Sequence, residues 1–266
     1  MYIGEKWLSY RTTGAERFFT VHSVFSKFIN LSTNQGLLSL ATRNAGGSSS
    51  FLTVPGGRLD FDAEAGEQCV ARAGWLHLAD STVNFENAAL WKGPVSTSYR
   101  YTRIKDENIA AFKAVLDRKA APHSAWRHIH SDAETRFRGL NVIKTLMHDP
   151  LEARNLIGLG QGLTPSGDDI LLGFLAMVNH APGNKAFLGS LRGVISGSLH
   201  KTTDISAQAL ANALNCDYHE YVQNCIRDLC EADKEAVYIS AASLVDMGAT
   251  SGSDIACGMY FGIRGM

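Results

Sequence analysis

Four short hydrophobic runs rich in β-forming residues, separated by polar turn signals, lie near the start of the chain: Phe18 to Phe25, Phe28 to Leu31, Leu37 to Ala41 and Phe51 to Val54. Runs of this length and composition predict β-strands, in which successive side chains point to opposite faces. Pro55-Gly56-Gly57 then breaks the chain before Arg58 to Phe61, which is read as a further strand after a tight turn. Ser96 to Thr102 alternates and is predicted to close the sheet. The first hundred residues are therefore expected to form a small antiparallel sheet or barrel.

From Asp106 the period lengthens to about 3.6, with Ile109, Phe112 and Leu116 on one helical face. Ser131-Asp132-Ala133-Glu134 has the S-x-x-E form of a capping box and predicts a helix running to Met147. Leu151 to Ile157 predicts a short helix that Gly158 ends. Further helices are expected over Lys185 to Leu199, Ser206 to Leu214, Tyr218 to Glu231 and Glu235 to Met247. The fold class is α+β, with a β-rich domain over residues 1–105 and a mainly helical domain over 106–266.

Composition narrows the partners. A chain of 266 residues with 45% hydrophobic content buries a core without help from a disulfide or a metal. Its five cysteines show no C-x-x-C pair and no metal-ligand spacing with histidine, and a reducing cytoplasm is the expected setting. The N-terminus lacks an apolar signal region, and no stretch reaches the run of about 18 apolar residues that a membrane helix requires. With a net charge of −1, neither nucleic acid nor an anionic membrane is an expected partner. Residues 1–149 carry +4 and residues 150–266 carry −5, an opposition that suits either domain docking or an acidic face toward another subunit.

The chemistry is concentrated in loops. Gly158-Leu159-Gly160-Gln161-Gly162-Leu163-Thr164-Pro165-Ser166-Gly167-Asp168-Asp169 precedes the apolar run Ile170 to Val178. Alternate glycines let backbone approach a ligand, and the helix that follows presents unpaired N–H groups suited to a carboxylate or phosphate. The glycines do not fit G-x-G-x-x-G, and no lysine stands where G-x-x-x-x-G-K-[ST] demands one, so an independent nucleotide-using enzyme rests on glycine content alone. A second loop echoes the first at an offset of 85: Ser166, Gly167, Asp169, Ile170 and Gly173 fall on Ser251, Gly252, Asp254, Ile255 and Gly258. The glycines one turn after the aspartates permit two helices to cross closely with their N-termini converging.

S-G-x-D also fits a capping box, in which Ser166, Asp169, Ser251 and Asp254 only secure two helix starts. A functional reading must further explain why helix starts that favour an anion carry Asp168, Asp169 and Asp254. Either Mg²⁺ bridges the carboxylates and ligand oxygens, or the ligand offers a carboxylate to the amides and N–H groups to the aspartates, as a ureido or carbamoyl acid does. On this reading Asp168, Asp169 and Asp254 are the catalytic candidates. Gly160, Gly162, Thr164, Ser166, Gly167, Ser251 and Gly252 are the candidate binding residues, with the amides of Gly167 and Gly252 holding an oxyanion.

A third segment, His200-Lys201-Thr202-Thr203-Asp204-Ile205-Ser206, places Thr203 and Ser206 on one helical face and adds both hydroxyls to the candidate binding set. Its rival reading is a helix cap at Thr203 or Asp204. Lys201 is either a counter-charge to the aspartates or a solvated surface residue. His128 and His130 point apart on a helix, Arg58 is read as a surface residue, and Cys257 as a packing residue.

The motifs G-L-G-Q-G-L-T-P-S-G-D-D, T-T-D-I-S-A and G-A-T-S-G-S-D-I-A-C-G, in this order, resemble the AllH-like family over roughly residues 158–262. Ala249 and Ser253 stand where that family's second motif is expected to carry histidine and tryptophan. The resemblance implies a subunit of the oxamate carbamoyltransferase complex of anaerobic allantoin breakdown. That complex moves a carbamoyl group between oxalurate and phosphate, and oxalurate has the mixed carboxylate and ureido character inferred from the loops. The implied partners are this small substrate, phosphate and the other subunits. The alternative is a non-catalytic scaffolding or ligand-binding subunit, in which the echo serves helix packing.

Overall fold

The computed structural model describes residues 1–95, 99–129, 140–182 and 185–265. It separates into two compact units, Met1–Gly93 and Pro94–Met266. The first is a curled nine-stranded half-barrel sheet and the second is mainly helical.

Nine strands build the first unit: β1 (Tyr2–Ile3), β2 (Arg17–Val24), β3 (Phe28–Thr33), β4 (Gly36–Thr42), β5 (Phe51–Val54), β6 (Gln68–Arg72), β7 (Trp75–Leu78), β8 (Ser81–Asn84) and β9 (Ala89–Leu90). Their order is β8-β7-β6-β2-β3-β4-β5-β1-β9, with β4–β5 and β1–β9 parallel and the other pairs antiparallel. Alternation puts Phe19, Val21, Ile29 and Leu31 inside while Phe18 faces out. A short helix, α1 (Leu8–Thr12), follows a 3₁₀ turn whose Trp7 is fully buried and packs edge-on against Phe19 and Phe85.

Two strand expectations do not hold. Arg58 to Phe61 has no strand, although Leu59 N–H donates to the Ser26 carbonyl at 2.8 Å. Tyr99 to Thr102 is irregular, and residues 96–98 of that expected closing strand lie outside the described residues. The sheet is instead extended by β6 to β8, which the hydrophobic pattern did not announce.

The second unit contains α2 (Asp106–Lys119), α3 (Ala125–Ile129), α4 (Leu140–Leu146), α5 (Ser166–Val178), α6 (Lys185–Ser198), α7 (Asp204–Leu214), α8 (Glu220–Glu231), α9 (Lys234–Val245) and α10 (Ser251–Arg264). The predicted capping box Ser131–Glu134 lies outside the described residues. Leu151 to Ile157 is a 3₁₀ turn over Pro150–Asn155, not an α-helix. Proline at its first position suits a turn entry, and the Asp149 carboxylate caps it by accepting from Leu151 N–H at 2.9 Å.

The helices α5 and α10 form the centre of this unit and are apolar on almost every side. A helix buried all round needs small residues where it meets another backbone. Gly173 and Gly258 supply them. A Cβ added to Gly173 would lie 1.9 Å from the Ile255 carbonyl oxygen, and one added to Gly258 would lie 2.0 Å from that of Ile170. Residue 170 thus meets 258 as 255 meets 173, the exchange expected of a local two-fold axis between the two echoing segments.

Candidate functional site

The same crossing brings the two S-G-x-D helix starts together. Thr164 Oγ1 and Ser251 Oγ are 2.8 Å apart, joining the glycine loop ahead of α5 to the first residue of α10. The serines are exchanged between the loops. The Ser251 hydroxyl acts on the Asp169 carboxyl, and the Ser166 hydroxyl acts on the Asp254 carboxyl. Neither serine caps its own helix: Pro165 and Thr250 occupy the N-cap positions, with no side-chain cap bond at either. The local capping-box reading therefore fails, because hydroxyls that would close each box locally are directed to the opposite loop.

The three aspartates are deeply buried, with relative exposures of 1% for Asp168, 6% for Asp169 and 0% for Asp254. Their surroundings differ. Asp168 accepts from Gly158 N–H at 2.9 Å through Oδ1 and from the Thr202 hydroxyl through Oδ2, and the Ser206 hydroxyl is a third stabilising donor. Burial raises its pKa, and these donors oppose the rise. Asp168 therefore ties the start of the glycine loop to the turn ahead of α7. Both its oxygens are engaged, and it is not a free ligand for a cation.

Asp169 and Asp254 each keep an uncommitted oxygen. Among the described residues, Oδ2 of each is buried without a hydrogen-bond partner. Asp254 Oδ1 accepts from Ala125 N–H at 2.7 Å and so holds the start of α3, while the neighbouring Ser253 Oγ accepts from Ala121 N–H at 2.9 Å. Burial pushes the Asp254 carboxyl up to about 6, against the opposing effects of Ala125, Ser166 and Thr250. Burial also raises the Asp169 carboxyl well above its ordinary value. Ser251 and Thr164 favour its ionised form, but the negative charges of Asp254 and Asp168 add to the rise.

The glycine loop shapes the approach to these groups. Gly158, Gly160 and Gly162 have φ of 75°, 132° and 87°, a region that residues with a Cβ rarely adopt. A Cβ at Gly158 would lie 2.5 Å from the Lys201 carbonyl oxygen, and one at Gly160 would lie 2.7 Å from the Ser166 amide nitrogen. Gly162 faces open space, and Gly160 to Leu163 are exposed. The third segment closes on the same loop. Thr203 caps α7 by accepting from Ser206 N–H at 3.2 Å, and its hydroxyl donates to the Leu163 carbonyl at 2.5 Å. The helix-cap reading of Thr203 is what the structure shows, with a loop anchor added.

The amides behave differently from the expectation. Gly167 N–H donates to the Leu159 carbonyl at 2.8 Å and Gly252 N–H to that of Met247 at 2.9 Å, so neither is free to hold an oxyanion. Their lack of a side chain serves packing: a Cβ would lie 2.0 Å from the Leu156 carbonyl oxygen at Gly167 and 1.8 Å from that of Leu244 at Gly252. Among the described residues, the first-turn amides left without an acceptor include those of Ser166 and Ser251. Lys201 is exposed, and only its carbonyl meets the loop. Cys257 is fully buried, with its thiol held well above the usual range by desolvation. Among the described residues, no three His, Cys, Asp or Glu side chains group as metal ligands.

Residues 156–263 match AllH. The family model is that of the oxamate carbamoyltransferase subunit AllH, the family that the loop motifs resemble. The AllH match begins at Leu156, whose carbonyl packs on Gly167, and takes in both echoing loops, α5 to α9 and all but the last residue of α10. It indicates, for this region, similarity to a subunit of a larger enzyme. The α2–α3 connection that donates Ala121 and Ala125 amides to Ser253 and Asp254 lies outside the AllH match. No solved structure matches the chain. Among the described residues, no helix is long and apolar enough to cross a membrane.

Sequence reasoning missed Thr202 and Ser253. Thr202 adjoins Thr203, and only one of the two could cap α7, which left the other hydroxyl available to Asp168. Ser253 sits inside the second motif at a position where the first carries Asp168, so a polar side chain with a structural partner was signalled by the echo itself.

Proposed function

We propose that this chain is a carbamoyltransferase subunit that moves a carbamoyl group between oxalurate and phosphate, working with other subunits of a complex. The observation that carries this reading is the meeting of the two S-G-x-D helix starts with one carboxyl oxygen of Asp169 and one of Asp254 left without a partner. Oxalurate suits such a site in both its parts. Its carboxylate matches the uncommitted helix-start amides of Ser166 and Ser251, where the backbone dipoles favour an anion. Its ureido N–H groups match the two free carboxyl oxygens. The exposed loop from Gly160 to Leu163 is the approach, and Asp168, Thr202 and Thr203 hold that loop in place. Positioning and charge stabilisation then supply the catalysis.

The test is formation of carbamoyl phosphate from oxalurate and phosphate by the full chain, alone and co-expressed with its partner subunits. Absence of product in every combination rejects the reading.

A second reading, a scaffolding subunit, is favoured by one specific observation: the Gly167 and Gly252 amides and both Asp168 oxygens are consumed internally. Under it, Asp169→Asn and Asp254→Asn change stability or assembly and leave turnover per assembled complex at the wild-type level.

A further inference from the structure

Asp169 and Asp254 occupy equivalent places on two helices that cross at glycines, each within reach of the other loop's serine. Each has one oxygen that is buried and unpartnered among the described residues. Two ionised carboxylates in such a place would repel one another with little water to screen them, and both orphan oxygens would remain unsatisfied acceptors. Retaining one proton across the two relieves both problems, since it removes one charge and turns one acceptor into a donor.

We propose that Asp169 and Asp254 work as a single one-proton pair at neutral pH, one carboxyl acting as the acid and the other as the base of the carbamoyl transfer. This inference rests on the carbamoyltransferase reading above.

The two members are unequal. Asp254 has its Oδ1 fixed by the Ala125 amide, which favours its ionised form, whereas Asp169 has only the hydroxyls of Ser251 and Thr164 to offset its desolvation and stands against the charges of Asp254 and Asp168. With that amide bond in place, Asp254 is the ionised member and Asp169 the protonated one. Among the described residues, the other ionisable groups acting on the pair are Asp168 on α5 and Cys257 on α10, neither of which carries a positive charge. The nearby Arg127 of α3 donates to the carbonyls of Asp117, Arg118 and Ala120, while Lys201 and Asp246 are exposed.

One proton on two carboxyls matches the balance of the reaction. An oxygen of hydrogen phosphate forms a bond to the carbamoyl carbon and passes its proton to the ionised Asp254. The bond from that carbon to the oxamate nitrogen breaks, its electron pair stays on nitrogen, and Asp169 supplies the proton that completes the amide. The pair ends with one proton, now on Asp254. Its return to Asp169 resets the site. No net proton enters or leaves.

The experiment is infrared titration of the full chain, labelled with ¹³C at the aspartate carboxyl, between about pH 5 and about pH 9, without substrate. One carboxylic-acid band is expected to persist at neutral pH and to be lost in Asp169→Asn. In Asp254→Asn, which keeps an oxygen for Ala125, the midpoint of that band should move to lower pH because the neighbouring charge is gone. In Ser251→Ala the midpoint should rise. Absence of a neutral-pH acid band, or an unchanged midpoint in Asp254→Asn, overturns the pair even if Asp169→Asn fails to fold. The spectra need no turnover, so an intact coupled band without carbamoyl phosphate formation rejects the enzymatic reading alone, and turnover without coupling rejects the pair alone.

Discussion

The hydroxyls of Thr164 and Ser251 meet at 2.8 Å across 87 residues of chain, and through that contact the two echoing loops become one structure. Ser251 also acts on the Asp169 carboxyl, so its hydroxyl serves two groups at once. Replacing it by alanine is predicted to destabilise the chain by about 1 kcal/mol, the usual net worth of one hydrogen bond. Ser166→Ala, its counterpart, should perturb Asp254 instead of Asp169. Chemical denaturation of both variants measures the first effect, and carboxyl titration separates the two sites.

Gly173→Ala and Gly258→Ala should be among the most damaging single substitutions. Each added methyl would sit at about half a normal contact distance from a backbone oxygen that cannot turn away. Overpacking of this kind destabilises by about 1–3 kcal/mol or more. Gly193→Ala in α6, where an added Cβ meets nothing within 4 Å, should be neutral or slightly stabilising. Thermal unfolding of the three variants checks the contrast, and equal losses would show that the crossing is looser than described.

Thr202→Val should act through Asp168. It removes one donor from a buried carboxyl and leaves Ser206 as the remaining hydroxyl, at a cost of about 1–3 kcal/mol. Because Asp168 also holds Gly158, the loop from Gly160 to Leu163 should become more susceptible to limited proteolysis. If cleavage there is unchanged while stability falls, the Asp168 tie does not govern the loop.

Stability should fall as the solution is taken from about pH 4 toward neutrality. The folded Asp254 carboxyl titrates at about 6 against an ordinary value of 3.8, so between those values the folded chain holds a proton that the unfolded chain has released. Unfolding is then favoured by rising pH, the contribution of Asp254 levels off above about 6, and the raised Asp168 and Asp169 carboxyls act in the same direction. The Asp254 share is on the order of 2–3 kcal/mol, because each tenfold gain in proton affinity on folding is worth about 1.4 kcal/mol. Denaturation midpoints for the wild type and Asp254→Asn across this range provide the check. The variant should lose the share of the slope that Asp254 contributes below about pH 6 and keep the share of Asp168 and Asp169.

The fold was legible where a single face decided burial. Phe19, Val21, Ile29 and Leu31 alternate cleanly, and β2 and β3 fall within a residue or two of the expected runs. The strands β6, β7 and β8 were hidden because they are only four or five residues long and are joined by turns in which Ala73 and Ala79, not glycine or asparagine alone, take positive φ of 47° and 48°. The two helix starts were legible as an echo, but their partners were not. S-G-x-D predicts a local bond between serine and its own helix, and only the tertiary crossing of Gly173 and Gly258 directs Ser166 and Ser251 to the opposite loop. The same crossing shows why Gly167 and Gly252 are glycine: they make room for the Leu156 and Leu244 carbonyls, a demand no local pattern expresses.

The exchange of serines between loops also bears on the order of folding. Each aspartate needs the serine of the other segment, so the arrangement cannot be completed by local helix formation and must await a contact closing a loop of more than eighty residues. A destabilising change at either crossing glycine should therefore disable both loops together, however far along the chain the second one lies. The two copies of the motif behave as a clasp, and a clasp half fastened holds nothing.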